Sequence, residues 1–211
     1  MNENKSQLGT QPVGRLLVKM AAPAVVAQLI NMLYNLVDRI YIGHIPGEGA
    51  YALTGMGVCM PVIMIVSAFA MLAGAGGAPR ASIAMGRGDN EAAEQALGNC
   101  FCLLLIVSAA LTGVLLVFNR PILMAFGATE NTIGYATAYM DIYALGTVFV
   151  QLTLGMNSFI IAQGFSKTGM LSVLIGAVCN IVLDPIFIFG FSMGVRGAAL
   201  ATVLSLSLIH I

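Results

Sequence analysis

An aspartate, an amide and a proline lie together inside a strongly apolar stretch of this chain. Asn180, Asp184 and Pro185 fall within residues 171–191, a segment long enough to cross a bilayer as a helix at about 1.5 Å per residue. Placing an aspartate at mid-membrane costs about 2.5–3.5 kcal/mol, and chains that carry this cost generally use the carboxylate to hold an ion, a proton or a buried partner. This stretch is therefore the first candidate for chemistry.

The spacing of these residues allows their polar atoms to converge. Asn180 precedes Asp184 by one helical turn, so both side chains lie on the same face of a helix. Pro185 has no N–H to donate, which leaves the carbonyl of Ile181 without its usual partner. A carboxylate, an amide oxygen and a free carbonyl are suitable ligands for a hard cation. The alternative is a helix-packing hydrogen bond beside a proline kink.

A second group of polar residues occurs near the beginning of the chain. Gln28, Asn31, Asn35 and Asp38 recur at intervals of three, four and three, which places them on one face of a helix. A polar stripe on a membrane helix faces the bundle interior or a wet cavity, because lipid cannot satisfy it. The alternative is a seam of interhelical hydrogen bonds, each worth about 0.6 kcal/mol. Pro23 predicts a kink lower in the same helix.

Other apolar segments contribute polar side chains at depths that match Asp184. Asn157 lies deep enough in its segment to approach Asn180 and Asp184 from a neighbouring helix, and Thr202 lies early in the last segment. The fourth segment and the residue after it also carry Asp141, Gln151, Ser158 and Gln163. Asp141 lies close to the outer end of its segment, so both a site role and an interfacial role stay open.

The elements that must position these residues are membrane helices. Hydrophobic residues make up 59% of the chain, charged residues 9%, and the mean hydropathy is +0.93, whereas soluble domains carry about 25% charged residues. We predict an all-α, polytopic membrane protein with six transmembrane helices, the sixth truncated. The predicted segments are residues 16–45, 51–75, 92–118, 133–162, 171–191 and 197 onward. Short turns join them, except for a longer polar connection at residues 77–95.

The charges suggest an orientation and exclude some partners. Net charge is zero, so neither nucleic acid nor another strongly charged partner is implied. Residues 1–14 form a polar tail without the apolar core of a signal peptide. With that tail in the cytoplasm, Lys and Arg residues favour the inner side by six to three. The inner set is Lys5, Arg15, Lys19, Arg80, Arg87 and Lys167, and the outer set is Arg39, Arg120 and Arg196.

The two aspartate-bearing segments resemble each other. Residues 37–42 (VDRIYI) echo residues 183–188 (LDPIFI), and each stretch precedes a glycine-bearing turn and an Ala-Leu pair. Both segments should cross the membrane in the same direction. Asp38 and Asp184 are therefore expected at similar depth, nearer the outer surface.

The collective order of these residues resembles a known family. The resemblance depends on Pro23, Gln28 and Asp38, on the Gln163-Gly164 pair with Lys167, on Asn180 with Asp184-Pro185, and on the sequence VDRIYIGHIPGEGAYALTGMG. The chain up to about Leu204 looks like the multidrug and toxic compound extrusion (MATE) transporters, in particular their bacterial multidrug-export branch.

The resemblance implies a fold, a function and a set of site residues. The fold would be one lobe, residues 15–205, of a two-lobe transporter with twelve helices. The function would be export of organic cations and drugs across the bacterial plasma membrane in exchange for Na⁺ or H⁺, without enzymatic activity or a cofactor. The residues implied for the coupling ion are Asp38, Asn180, Asp184, Thr202 and Asn157. Those assigned to a substrate cavity are Gln28, Asn31, Tyr34, Asn35 and Gln163.

The last six residues depart from the family pattern. Residues 206–211 match what a transposase mosaic-end sequence used in sequencing libraries would encode, and we expect them to be a sequencing-adapter artefact. Under that expectation the carboxyl-terminal lobe is missing and the sixth helix is incomplete. Transport is then a property of the parent protein.

One mechanism and two rivals follow. Asp38 and Asp184 would share a cation with Asn180 and Thr202, or hold a proton between them, and ion entry would favour a state with lower drug affinity. A lipid or polysaccharide-precursor flippase is the first rival, although such cavities are richer in basic residues. An intramembrane aspartyl protease is the remote rival, but neither membrane aspartate stands in that class's Tyr-Asp or Gly-x-Gly-Asp pattern, since Asp38 follows Val37 and Asp184 follows Leu183.

Overall fold

The fold is a bundle of helices. A computed structural model describes residues 12–210, without the side chains of Arg15, Leu16, Met20 and His210. Its helices are α1 (Val13–Gly43), α2 (Gly49–Gly86), α3 (Asn90–Ala125), α4 (Ile133–Leu145), α5 (Thr147–Ala162), α6 (Ser166–Pro185), which continues as a π-helical turn (Ile186–Gly190), and α7 (Val195–His210). The predicted all-α fold is confirmed.

Length and apolarity identify the helices that can cross a membrane. Four qualify within residues 12–210, namely 17–43 of α1, α2, α3 and the combined span 166–190. Helices α4 and α5 together would make a fifth, and α7 is a shorter apolar helix. Helix α7 runs through residues 206–210, and the adapter origin of residues 206–211 stays a prediction.

The prediction of a long polar connection at residues 77–95 is wrong. Helix α2 continues to Gly86 and α3 begins at Asn90, so only a tight turn separates them. Asp89 ends this turn as a helix cap, because its Oδ1 accepts a hydrogen bond from the N–H of Ala92 at 3.0 Å. Most of this polar stretch therefore belongs to the ends of two helices rather than to a loop. With 38 residues, α2 is about 57 Å long and projects well beyond the roughly 30 Å apolar layer.

The predicted single segment 133–162 is two helices with a bend. Helices α4 and α5 meet at Gly146 with an angle of 59° between them. A Cβ at position 146 would overlap the side chain of Val203 on α7. Glycine is needed here because α7 packs directly against the corner, and that close approach leaves no room for a side chain.

Packing places α1 and α6 side by side and α7 behind them. Helix α6 contacts α1 and α7, while α2 packs against α3, α4 and α5. The main core lies among α2, α4 and α7 and includes Met56, Met140 and Ala198. The opposite face of α1 is open, with more than half of the surface of Leu29, Leu33 and Leu36 exposed.

The end of α6 changes helical geometry after Pro185. The N–H of Phe191 bonds the carbonyl of Ile186 at 2.9 Å, a spacing of five residues that defines a π-helical turn. Gly197 of α7 packs against this turn so closely that a Cβ there would lie 2.7 Å from the backbone carbon of Phe187. Helix α1, by contrast, continues through Pro23 with helical residues on both sides.

Candidate cation site

The two membrane aspartates share the interior of the bundle. Helix α1 places Asp38 and helix α6 places Asp184, with 3% and 0% of their surfaces exposed. Their carboxyl groups lie close enough to interact electrostatically. Because α1 and α6 pack along each other, neither carboxyl points to lipid and the two are on the same side of the bundle.

A short polar chain connects Asp184 to the last helix. The Nδ2 of Asn180 donates to Oδ1 of Asp184 at 3.4 Å and to Oγ1 of Thr202 at 3.5 Å. Both contacts are long, so the amide is shared between two weak bonds. Asn180 and Asp184 therefore lie on one face of α6, as their spacing predicts, and α7 brings Thr202 to that face.

Buried oxygen atoms without a partner mark this region. Within the described part of the chain, six buried side-chain oxygens accept no hydrogen bond. Four of them belong to predicted ion ligands: Asp38 Oδ1, Asn157 Oδ1, Asn180 Oδ1 and Asp184 Oδ2. An unsatisfied buried acceptor costs about 1–3 kcal/mol, and a buried carboxylate costs more. This region is therefore suited to receive a cation or a proton.

A small cavity adjoins the two amides, Asn157 and Asn180, but is lined by neither aspartate. It has a volume of about 120 Å³, and its polar lining includes Asn31, Tyr34, Asn157, Asn180 and Thr202. A water molecule occupies about 30 Å³ of liquid volume, so the space accommodates a small hydrated ion. The cavity brings two residues predicted for the substrate, Asn31 and Tyr34, next to three predicted for the ion.

The polar stripe of α1 divides between two environments. Gln28, Asn31, Asn35 and Arg39 line a recess of about 630 Å³ along the open face of the helix, whereas Asp38 is buried. The Nδ2 of Asn35 donates to the carbonyl of Asn31 at 2.7 Å, so this amide is bonded to its own helix. Of the four residues expected on one inward-facing stripe, Asp38 is therefore buried, and Asn31 lines both the small cavity and the recess.

Two other polar residues of segment 133–162 lie away from the aspartates. Gln163 is exposed at the end of α5 and lines neither the small cavity nor the recess on α1. Asp141 is also exposed and accepts a hydrogen bond from Asn119 on α3. Gln163, which the resemblance assigned to a substrate cavity, thus lies at the exposed end of α5, outside both cavities.

Tyr139 belongs to the site and was missed from the sequence. It lies on α4 with 2% of its surface exposed, close to the side chain of Thr202 and to Asp38. The available signal was a phenol inside an apolar segment. Its relation to Asp38 depends on how α4 meets α1 and α7, which spacing does not reveal.

The donor set limits what the site can hold. Residues 12–210 contain no group of three or more His, Cys, Asp or Glu side chains placed to bind a metal. The grouping has instead two carboxylates, two amides and a hydroxyl, all oxygen ligands. Oxygen ligands favour hard cations over zinc or copper. The arrangement therefore fits Na⁺ or a proton.

Comparison with known proteins gives a consistent set of relatives. Residues 23–186 match the protein-family model MatE. The chain is 26% identical to the FAD transporter of Shewanella oneidensis over 207 residues, 96% of this chain and 45% of that protein. It is 26% identical to the multidrug export protein MepA of Staphylococcus haemolyticus over 191 residues, 90% of this chain and 42% of that protein.

Solved structures show the same relationship. The chain matches the crystal structure of MATE in the bent conformation with a TM-score of 0.90 and 28% identity, covering 99% of this chain and 46% of that one. It matches the outward-facing conformation of a multidrug resistance MATE family transporter with a TM-score of 0.89 and 28% identity, covering 97% and 45%. The chain thus spans less than half the length of these relatives.

Proposed function

Since this chain belongs to the MATE (MatE) family and corresponds to its amino-terminal lobe, we propose that its parent protein exports organic cations and drugs by exchange for Na⁺ or H⁺. Members of this family are multi-pass membrane transporters and not enzymes, which removes the aspartyl protease as a rival. The proposed setting is the bacterial plasma membrane, with residues 1–14 in the cytoplasm. A second lobe would complete the transporter.

One observation carries this proposal: two buried aspartates, Asp38 and Asp184, and two amides, Asn157 and Asn180, each have a buried oxygen without a hydrogen-bond partner. When no cation or proton is bound, Asp38 and Asp184 would be two buried negative charges in a medium that screens charge poorly. Na⁺ or H⁺ would relieve that repulsion, with Asn180, Thr202 and Asn157 supplying further oxygens. The proposed ligands are the same for either ion, so the geometry supports both.

Helix α1 is suited to transmit the state of the ion site to the drug. Its inner face carries Asp38, and its open face carries Gln28, Asn35 and Arg39 along the recess. In the proposed cycle, α1 moves when the aspartates are neutralised, and the recess that faces the second lobe changes shape. Drug affinity would fall as the ion enters, because two states with different recesses bind the drug differently.

The test is dye efflux by the full-length parent in proteoliposomes, measured without sodium and then with the proton gradient collapsed. Asp184→Asn removes one carboxylate while preserving shape, and we expect ion-driven efflux to fall to the level measured without a gradient. Asp89→Asn is the matched control, because asparagine still caps α3 and the position is remote from the site. Undiminished ion-driven efflux by the Asp184→Asn variant would refute the proposal.

A second candidate substrate class is favoured by Arg39. This guanidinium is the charged group lining the recess on α1, where the other polar residues are the amides Gln28, Asn31 and Asn35. A positive recess would favour a phosphate-bearing substrate, and one relative is named as an FAD transporter. Competition between a cationic dye and FAD for transport, with Arg39→Gln as the variant, separates the two classes. If FAD is the substrate, Arg39→Gln weakens FAD transport and spares the dye.

A further inference from the structure

A pocket separate from the aspartates lies between α2 and α3. Its volume is about 490 Å³, and it opens along the two helices toward the turn that joins them. The lining residues recur every three or four positions on each helix, which identifies two facing helix surfaces. Those from α2 are Leu72, Ala73, Gly76, Gly77, Arg80 and Ala84, and those from α3 are Ala92, Gln95, Ala96, Asn99, Cys100 and Leu103.

The pocket has a positive end, at Arg80, and no acidic residue among residues 12–210 lines it. Arg80 is exposed in it and forms no ion pair or hydrogen bond with the described residues. Asp89, Glu91 and Glu94, near the adjacent turn, do not line it, although Glu91 accepts a long hydrogen bond of 3.4 Å from Gln95, which does. The pocket therefore carries a single positive charge, with the amides of Gln95 and Asn99 beside it.

The other end of the pocket is apolar and faces outward. Leu72 and Leu103 are 71% and 46% exposed there, on surfaces of helices that cross the membrane. From Leu72 to Ala84 the lining extends about 18 Å along α2, enough to reach from the hydrocarbon layer to the headgroup layer. Along its length the pocket thus has the polarity profile of one phospholipid.

Two glycines of α2 shape the pocket floor. A Cβ at Gly77 would overlap Cys100 on α3, so the helices touch at this position. A Cβ at Gly76 would meet nothing within 4 Å, so the space beside it is open. The close contact at one glycine and the open space at its neighbour make a groove rather than a packed seam.

We propose that this pocket binds an anionic phospholipid. The phosphate lies against the guanidinium of Arg80, the amide of Asn99 donates to a headgroup oxygen, and an acyl chain covers Leu72 and Leu103. Arginine suits this role because its planar donors bind phosphate oxygens in pairs, and basic pockets between membrane helices attract anionic headgroups. No lining residue is shared with the ion cavity or with the recess on α1. The inference does not depend on the transport mechanism.

Native mass spectrometry of the full-length transporter tests the site. The protein is titrated in detergent with phosphatidylglycerol and, separately, with phosphatidylcholine of the same chain length. We expect phosphatidylglycerol to bind about fivefold more tightly, which is the contribution of one basic side chain near an anionic headgroup. Arg80→Gln should remove this preference. Arg87→Gln is the matched control, because it makes the same charge change in the turn outside the pocket lining.

A second variant tests the shape of the pocket while the charge of Arg80 is kept. Gly76→Leu leaves Arg80 in place but fills the open space on the floor, and leucine favours the helix over glycine. We expect this variant to fold, as judged by its circular dichroism, and to lose phosphatidylglycerol binding. Equal affinity for both lipids, equal losses in Arg80→Gln and Arg87→Gln, or full binding by Gly76→Leu would overturn the proposal. Competition by glycerol phosphate alone would identify a soluble phosphate site instead and would likewise overturn it.

Discussion

Replacing Thr202 by valine tests the ion site with little change of shape. The Oγ1 of Thr202 accepts a long hydrogen bond from Nδ2 of Asn180 at 3.5 Å. Valine keeps the branched side chain but removes the hydroxyl, so the buried amide loses a partner. Each unsatisfied group costs about 1–3 kcal/mol, and the ion also loses one candidate oxygen ligand.

The expected result is a weaker response to the coupling ion. A loss of 1–3 kcal/mol corresponds to a half-saturating ion concentration raised by about 5- to 150-fold. The assay is dye efflux by the full-length parent at stepped sodium concentrations, followed by the same measurement over stepped proton gradients. Thr202→Ser restores the hydroxyl and should restore the response. Thr54→Val is the control, because the Oγ1 of Thr54 bonds the carbonyl of Ala50 within its own exposed helix turn.

This reasoning fails in two clear ways. A Thr202→Val variant with unchanged ion dependence would show that the hydroxyl is not part of the site. Equal defects in Thr202→Val and Thr202→Ser would point to packing of α7, since serine keeps the hydroxyl and loses only the methyl group. A sodium response that shifts while the proton response does not would assign the ion as Na⁺.

Two further predictions concern the scaffold, and both are measured as thermal unfolding in detergent. Gly197→Ala should destabilise the bundle by about 1–3 kcal/mol, because its Cβ would lie 2.7 Å from the backbone of Phe187. Gly57→Ala is the control and should not destabilise the bundle, because a Cβ there meets nothing within 4 Å. Equal effects of the two variants would contradict the packing of α7 on the π-helical turn. Asp89→Ala should cost about 0.5–2 kcal/mol through loss of the cap on the Ala92 N–H, whereas Asp89→Asn should retain most of that stability. An alanine variant as stable as the asparagine variant would show that the cap contributes little.

Several features of this protein follow from local sequence alone. Long apolar segments with few charges predict membrane helices, because only helices or closed barrels satisfy backbone polar groups in lipid. The same logic predicts that Asp38, Asn180 and Asp184 face the interior, and the structure confirms their burial. The spacing of Asn180 and Asp184 also predicts that they share one helix face, and the structure places Nδ2 of Asn180 3.4 Å from Oδ1 of Asp184.

Other features depend on how helices meet. Helix α2 extends to Gly86 although its last turns are polar, because a continuous backbone hydrogen-bond ladder does not need lipid around it. The bend at Gly146 reflects the approach of α7, a contact with a residue 57 positions away. Composition alone could not distinguish the end of α2 from a loop. It also could not distinguish the bent pair α4 and α5 from one straight helix.

The sequence determined which groups are too polar for lipid and therefore where chemistry is to be sought. Only the tertiary structure decided which of those groups meet: it brought Tyr139 to Thr202 and Asp38, left Gln163 exposed, and opened the pocket beside Arg80. The physical reason is that the burial of a polar residue can be predicted from its own helix, whereas a site forms only where the faces of several helices meet. Which faces meet is set by close contacts between helices, and no local pattern encodes them.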